Sequence, residues 1–199
     1  VRGGVGTGTR TLGLLGAILT YARENGIIET NPAHGIRKAA DQKLNRRLSE
    51  DEYRLLGRLL CDADRDDQLA TAAAMVRALA LTGCRRGEII NLDWREVDAN
   101  NSCLRLRDSK EGASVRPIGL PIVELLEARQ TDAIAGAVFE GTVEGKPFIG
   151  FPKHWRKILA NSPLVDITPH VLRHSFASVA NDLGFTESTI AALLGHAQG

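Results

Sequence analysis

LTGCRRGEIINLDW, residues 81–94, is the stretch on which the reading of this chain turns. It closes a run, 68–81, that is nearly all apolar and rich in alanine, which predicts a central, buried helix. Gly83 stops that helix, and a short second helix is expected over 88–92. Arg85 and Arg86 therefore fall at the junction of two helices. Glu88 stands three residues beyond Arg85, a spacing from which its carboxylate can orient the Arg85 guanidinium. An arginine held by a carboxylate against an apolar helix end is costly unless it is used.

A second polar cluster lies in ITPHVLRHSF, residues 167–176. Thr168 is a natural N-cap and Pro169 a natural first helical residue. At roughly 100° per residue, Leu172, Phe176, Val179 and Leu183 share one stripe, expected to be the core side. His170, Arg173 and His174 share the opposite face, expected to lie outside the core. His170 is in the first turn, where free N–H groups and the helix dipole favour an anion. His170 and His174 have the spacing of a metal pair, with His196 as a conceivable third ligand. However, Val171 occupies the position where a zinc helix would carry Glu, and no carboxylate lies between the histidines. Periodicity leaves two readings open, a solvated polar face and an anion clamp. Arg85 and Arg173 together have the chemistry to grip the non-bridging oxygens of one phosphate by forked hydrogen bonds.

Working outward, residues 9–24 read as a helix with Leu12, Leu15, Ile18 and Ala22 in phase, stopped at Gly26. The aperiodic segment that follows, with Pro32 and Gly35, reads as a linker. LSEDEY, residues 48–53, is a capping box: Ser49 caps, Glu52 reaches back, and Leu48 and Tyr53 form the hydrophobic staple. Tyr53 thus has a structural task. CLRLRDSKEGASVRPIGL, residues 103–120, reads as a β-hairpin turning at 108–114. Further helices are expected over 121–133, 151–159, 168–183 and 187–194. The expected fold class is mainly α with a small antiparallel β-sheet (α+β), with a helical fragment at 1–43 and the main domain at 44–199.

Composition narrows the function. The chain has 199 residues, 43% hydrophobic and 25% charged, as in a soluble globular protein with one sizeable core. The apolar run is too short to span a bilayer and no leader pattern opens the chain, so a cytoplasmic protein is expected. Three cysteines without CxxC spacing fit a reducing compartment better than a disulfide or zinc-thiolate framework. The net charge of +1 lacks the basic excess usual in nucleic-acid binders. Two basic runs exist, Arg37–Lys38–Lys43–Arg46–Arg47 and Arg105–Arg107–Lys110–Arg116, and each reads as solvated surface. GGVGTGT at 3–9 follows no strand, and GTVEGKP at 141–147 carries Pro147 where a P-loop needs Ser or Thr, so neither is a phosphate loop.

Four blocks, in order, resemble the tyrosine recombinases, or phage-type integrases. TGCRRGE at 82–88 resembles the block of the first catalytic arginine, here Arg85, with Glu88 at the acidic supporting position. DSKEGASVRPIGL at 108–120 resembles the β-hairpin whose turn carries the catalytic lysine, here Lys110. ITPHVLRHSFAS at 167–178 resembles the His-x-x-Arg block, giving His170 and Arg173, with His174 in a supporting role. LLGHAQG at 193–199 resembles the Leu-Gly-His block, giving His196. The resemblance covers about residues 46–199, and the preceding piece is similar to the end of the family's core-binding domain.

The resemblance implies DNA strand breakage and rejoining through a 3′-phosphotyrosine, with no metal and no cofactor. It also implies double-stranded DNA as partner, a homotetramer on DNA, and a nucleoid-associated place in a bacterial or archaeal cytoplasm. The family's nucleophilic tyrosine follows the Leu-Gly-His block, whereas this chain has only Tyr21 and Tyr53. The expectation is therefore a piece lacking both ends, inactive and monomeric alone. The rival class is a non-catalytic DNA-binding remnant or regulator with the same fold.

Overall fold

The computed structural model describes residues 4–37, 46–107, 112–130 and 134–195. The chain forms two compact units, residues 1–45 and 46–199.

In the first unit, α1 (Val5–Glu24) ends at Asn25, and Gly26 follows with φ of 70°. The segment behind it is tied back onto the helix. Asn31 Nδ2 donates to the Gly16 carbonyl at 3.0 Å and to Thr20 Oγ1 at 2.9 Å. Asn31 Oδ1 also accepts from the Ala33 N–H, so one side chain both shapes the turn and anchors it.

The second unit is built around α3 (Asp67–Thr82), on which Ala72, Ala73, Met75, Val76 and Leu79 have essentially no exposure. Alanines on several faces let neighbours approach closely. α2 (Glu50–Ala63), α4 (Arg86–Ile90), α5 (Leu120–Glu127), α6 (Phe151–Leu159) and α7 (Pro169–Asp182) all pack against it. α8 (Glu187–Leu194) folds back on α7. A three-stranded antiparallel sheet, β1 (Val97–Asp98), β2 (Cys103–Leu106) and β3 (Ser114–Pro117), flanks the bundle in the order β1-β2-β3. The architecture is mainly helical with a small sheet, as the sequence patterning indicated.

Local signals set several boundaries. The capping box at α2 is complete, with Ser49 Oγ accepting from the Glu52 N–H and Glu52 Oε2 from the Ser49 N–H. Leu48 is buried and Tyr53 packs against the core. Ser175 locks this entry onto α7, its Oγ accepting from the Leu48 N–H at 2.9 Å and donating to the Val171 carbonyl at 2.8 Å.

Three expectations need correction, and one strand leaves no sequence signal. α5 stops at Glu127 instead of running to 133, because Arg129 and Gln130 turn away through N–H bonds to the Leu126 and Glu127 carbonyls. The two-residue strand β1 is too short to leave a period-2 pattern. The stripe on α7 is not wholly core: Leu172 has no exposure, but Val179 is 43% and Leu183 73% exposed. Conversely Arg173 is buried, because the ends of α3 and α8 converge on its face of α7.

Candidate active site

Arg85, Arg86, Pro169, His170 and Arg173 line an open cavity of about 300 Å³. Its floor depends on how α3 ends. Gly83 takes φ of 63°, in the left-handed region that glycine enters without penalty. A Cβ there would also lie 2.6 Å from Phe176 Cδ1 and 2.9 Å from Leu194 Cδ2, so the turn requires glycine twice over. Thr82 Oγ1 accepts from the Cys84 N–H at 3.1 Å and steadies the exit. The chain then presents Arg85 at the N-cap of α4.

Glu88 fixes that arginine from two sides. Its Oε2 accepts from the Arg85 backbone N–H at 2.7 Å, and its Oε1 accepts from Arg85 Nη1 at 3.0 Å. The Glu88 side chain is only 4% exposed, so the pair is strongly felt in a low-dielectric setting. Glu88 Oε1 also accepts from Arg116 Nη2 at 3.1 Å.

Arg173 reaches the cavity from the second turn of α7. Thr168 caps that helix by accepting from the Val171 N–H. Arg173 Nη1 donates to the Gly83 carbonyl at 2.6 Å and Nη2 to the Leu194 carbonyl at 3.0 Å. Both carbonyls lie at helix C-terminal ends, where the macrodipole favours a cation. Burial pushes the Arg173 guanidinium below its ordinary value, and the Arg85 cation pushes it the same way. Arginine stays charged at neutral pH regardless. A site that strains a cation in this way gains by admitting an anion.

The structure brings Arg85, His170 and Arg173 to one cavity, with Glu88 behind Arg85. His170 is exposed at the rim. His174 is exposed one turn further on and does not line the cavity. Lys110 and His196 lie outside the described residues. Tyr53 is half-buried in α2, where burial raises its phenol above the ordinary value despite a Ser175 hydroxyl beside it.

Arg116, like Arg173, departs from the sequence expectation: it belongs to a basic run expected at the surface, yet it has no exposure at all. The β2–β3 register pairs it with Leu104, which is also buried, and turns Val115 outward at 53% exposure. The usable signal was alternation: Ile118 and Arg116 share parity, and Ile118 is core.

A family model described as the phage integrase family matches residues 46–199. The chain is 31% identical over 189 residues to the shufflon-specific DNA recombinase of Escherichia coli, covering 93% of this chain and 46% of that protein. It is 31% identical over 130 residues to the prophage integrase IntF of Escherichia coli K12, covering 63% of this chain and 28% of that protein. It is 27% identical over 203 residues to the tyrosine recombinase XerC of Roseiflexus castenholzii, covering 96% and 64%. The chain thus spans less than two thirds of each of these relatives. Among solved structures, the Tn1549 transposon integrase in complex with circular intermediate DNA superposes with a TM-score of 0.71 at 17% identity, covering 98% of this chain and 72% of that one. A lambda integrase dimer bound to a COC′ core site gives 0.71 at 18%, covering 98% and 73%. At such identities the likeness is one of fold.

Proposed function

The chain belongs to the phage integrase family, and on that premise we propose that it is the phosphate-gripping part of a site-specific DNA recombinase. The observation that carries the reading is the convergence of Arg85 and Arg173 on one cavity, each fixed from behind by groups other than a ligand.

Phosphoryl transfer asks mainly for positioning and charge stabilisation. Arg85 and Arg173 hold the two non-bridging oxygens of the scissile phosphate as negative charge builds on them. Glu88 keeps the Arg85 fork aimed. His170, at the rim, takes the proton of the attacking tyrosine hydroxyl. The phosphorus–O5′ bond breaks, and Lys110 gives a proton to the leaving 5′ oxygen. His196 donates a hydrogen bond to the phosphate. With cations supplied by side chains, the reaction needs no cofactor.

The attacking tyrosine is neither Tyr53, which is committed to the packing of α2, nor Tyr21 in the separate unit; it lies outside residues 1–199. Residues 1–43 are the C-terminal remnant of a helical core-binding domain plus a linker. The whole protein works as a homotetramer on DNA in the cytoplasm, while this piece alone is monomeric and does not cut. Among the described residues, no helix is long and apolar enough to cross a membrane.

The test is a chain extended to include the tyrosine, incubated with a nicked duplex carrying its site. A DNA adduct that survives denaturation, with the 3′ phosphate on tyrosine by mass spectrometry, supports the reading. Sequence-specific binding with no adduct would favour the non-catalytic regulator instead.

A further inference from the structure

We propose that Arg116 is a positioning residue of this site, holding Glu88, and through it Arg85, in register with the turn at Gly195; the catalytic part of this inference rests on the recombinase reading above. Three observations converge on it. First, the guanidinium is completely buried and donates from Nη2 to the same Glu88 oxygen that accepts from Arg85 Nη1. Glu88 Oε1 is thus clamped between two forks, one from α4 and one from β3. Second, the other side of the guanidinium lies under Gly195. A Cβ built on Gly195 would fall 0.9 Å from Arg116 Nη1 and 1.8 Å from its Cζ, so the arginine fills the volume that any side chain there would need. Third, Arg116 Nε and Nη1 have no hydrogen-bond partner among the described residues.

The third observation separates positioning from stability. A buried guanidinium held by one oxygen carries a desolvation penalty that an apolar side chain of similar size would avoid. As a stabilising device, Arg116 is therefore poor. As a spacer it is well suited, because one planar group touches three parts of the chain at once. These are the α4 N-terminus with Arg85 and Glu88, the paired strands β2 and β3, and the end of α8 at Gly195. The left-handed Gly195 (φ 62°) gives the room this contact needs. Arg116 touches no solvent, so it does not itself meet DNA; it acts through Glu88 and Arg85.

The direct test is side-chain NMR of this chain, following the arginine Nε–Hε and Nη signals. In Arg116→Met, the Arg85 signals should shift and its guanidinium should rotate faster about Nε–Cζ, because Glu88 has lost its second hold. Unchanged Arg85 signals would overturn the proposal. If Arg116→Met does not fold, Arg116→Lys reads the same signals, since an ammonium cannot both bond Glu88 and fill the space under Gly195.

The second arm uses the chain extended to include the tyrosine. At saturating DNA, Arg116→Met should slow adduct formation by roughly tenfold to a hundredfold, the scale of a slightly misplaced catalytic group. The Kd for DNA should stay within about twofold, since phosphate contacts supply that affinity. Arg116→Met combined with Glu88→Gln should be no slower than the slower single variant, because the two act as a unit. Additive losses, or an affinity loss that accounts for the rate, would overturn the proposal. Absence of any wild-type adduct would defeat the recombinase reading, while the NMR arm would still decide whether Arg116 holds Arg85.

Discussion

Arg173 Nη1 donates to the Gly83 carbonyl at 2.6 Å, so the glycine that stops α3 also anchors an arginine that lines the cavity. Fold and site share one atom here. A change at Gly83 is therefore felt in both.

Gly83→Ala should destabilise the chain by about 2–4 kcal/mol, combining a left-handed backbone penalty with overpacking against Phe176 and Leu194. At this chain length that is a fall of roughly 4–16 °C in Tm. Thermal or urea unfolding followed by circular dichroism measures it. A loss under about 0.5 kcal/mol, the level of a neutral surface change, would mean the turn relaxes freely.

Arg173→Ala removes the bonds that join the end of α3 to the end of α8. Hydrogen bonds from a charged donor contribute about 1.5–3 kcal/mol each, partly offset here by relief of buried charge. Amide exchange should speed up in residues 187–194 more than in α2 or α6. Uniform acceleration across the unit would instead indicate a general loss of stability.

These two residues also show what was legible beforehand. Ser49, Glu52 and Thr168 act through contacts within four residues, and Gly83 stops α3 by its own backbone angle, so the sequence displays these directly, though not the long-range contacts of Gly83 with Phe176, Leu194 and Arg173. The reach of Glu88 to Arg85 is of the same local kind. Arg116 is different. Its burial depends on a strand register and on an approach between β3 and the end of α8, neither of which leaves a local mark. The apolar stripe of α7 failed for a related reason. Periodicity finds a face but not how far along the helix a neighbour covers it, so Val179 and Leu183 emerge into solvent while Arg173 is enclosed. Lys110 and His196 fall outside the described residues, and their place in the site rests on the blocks that contain them.

Acid should weaken the second unit through its entry clamp. Arg46 donates to Glu52 through both Nη groups and to Asp166 through Nε. The Arg46 fork and the cap at Ser49 hold the Glu52 carboxyl down to about 2 from an ordinary 4.5. Its folded value lies below its unfolded one, so the clamp contributes fully above about pH 5 and is lost as pH falls from 4.5 towards 2. Both side chains keep 27% exposure, and the contribution should be on the order of 1 kcal/mol after solvent screening. Urea unfolding at pH 7 and pH 3 should show a smaller acid loss for Glu52→Gln than for the parent chain. Equal losses would remove Glu52 from the account.

Thiol chemistry offers an independent check on the core. Cys61 is exposed, whereas Cys84 and Cys103 are buried, and burial pushes the Cys84 thiol above its ordinary value. A water-soluble aromatic disulfide reagent at pH 8 should titrate one thiol quickly. The other two should react only at the rate of unfolding. Rapid modification of all three in the folded chain would contradict the packing of Cys84 beneath the Arg85 turn.

The central claim is that Arg85 and Arg173 grip one scissile phosphate, and the single-turnover rate of covalent adduct formation tests it most directly. In the chain extended to include its tyrosine, Arg85→Ala and Arg173→Ala should each slow adduct formation at saturating DNA by at least about a hundredfold, the scale for losing one preorganised donor at developing charge. The double variant should be little worse than either single one, because the two forks act on the same phosphate. Either single variant forming the adduct at the parent rate would contradict the account.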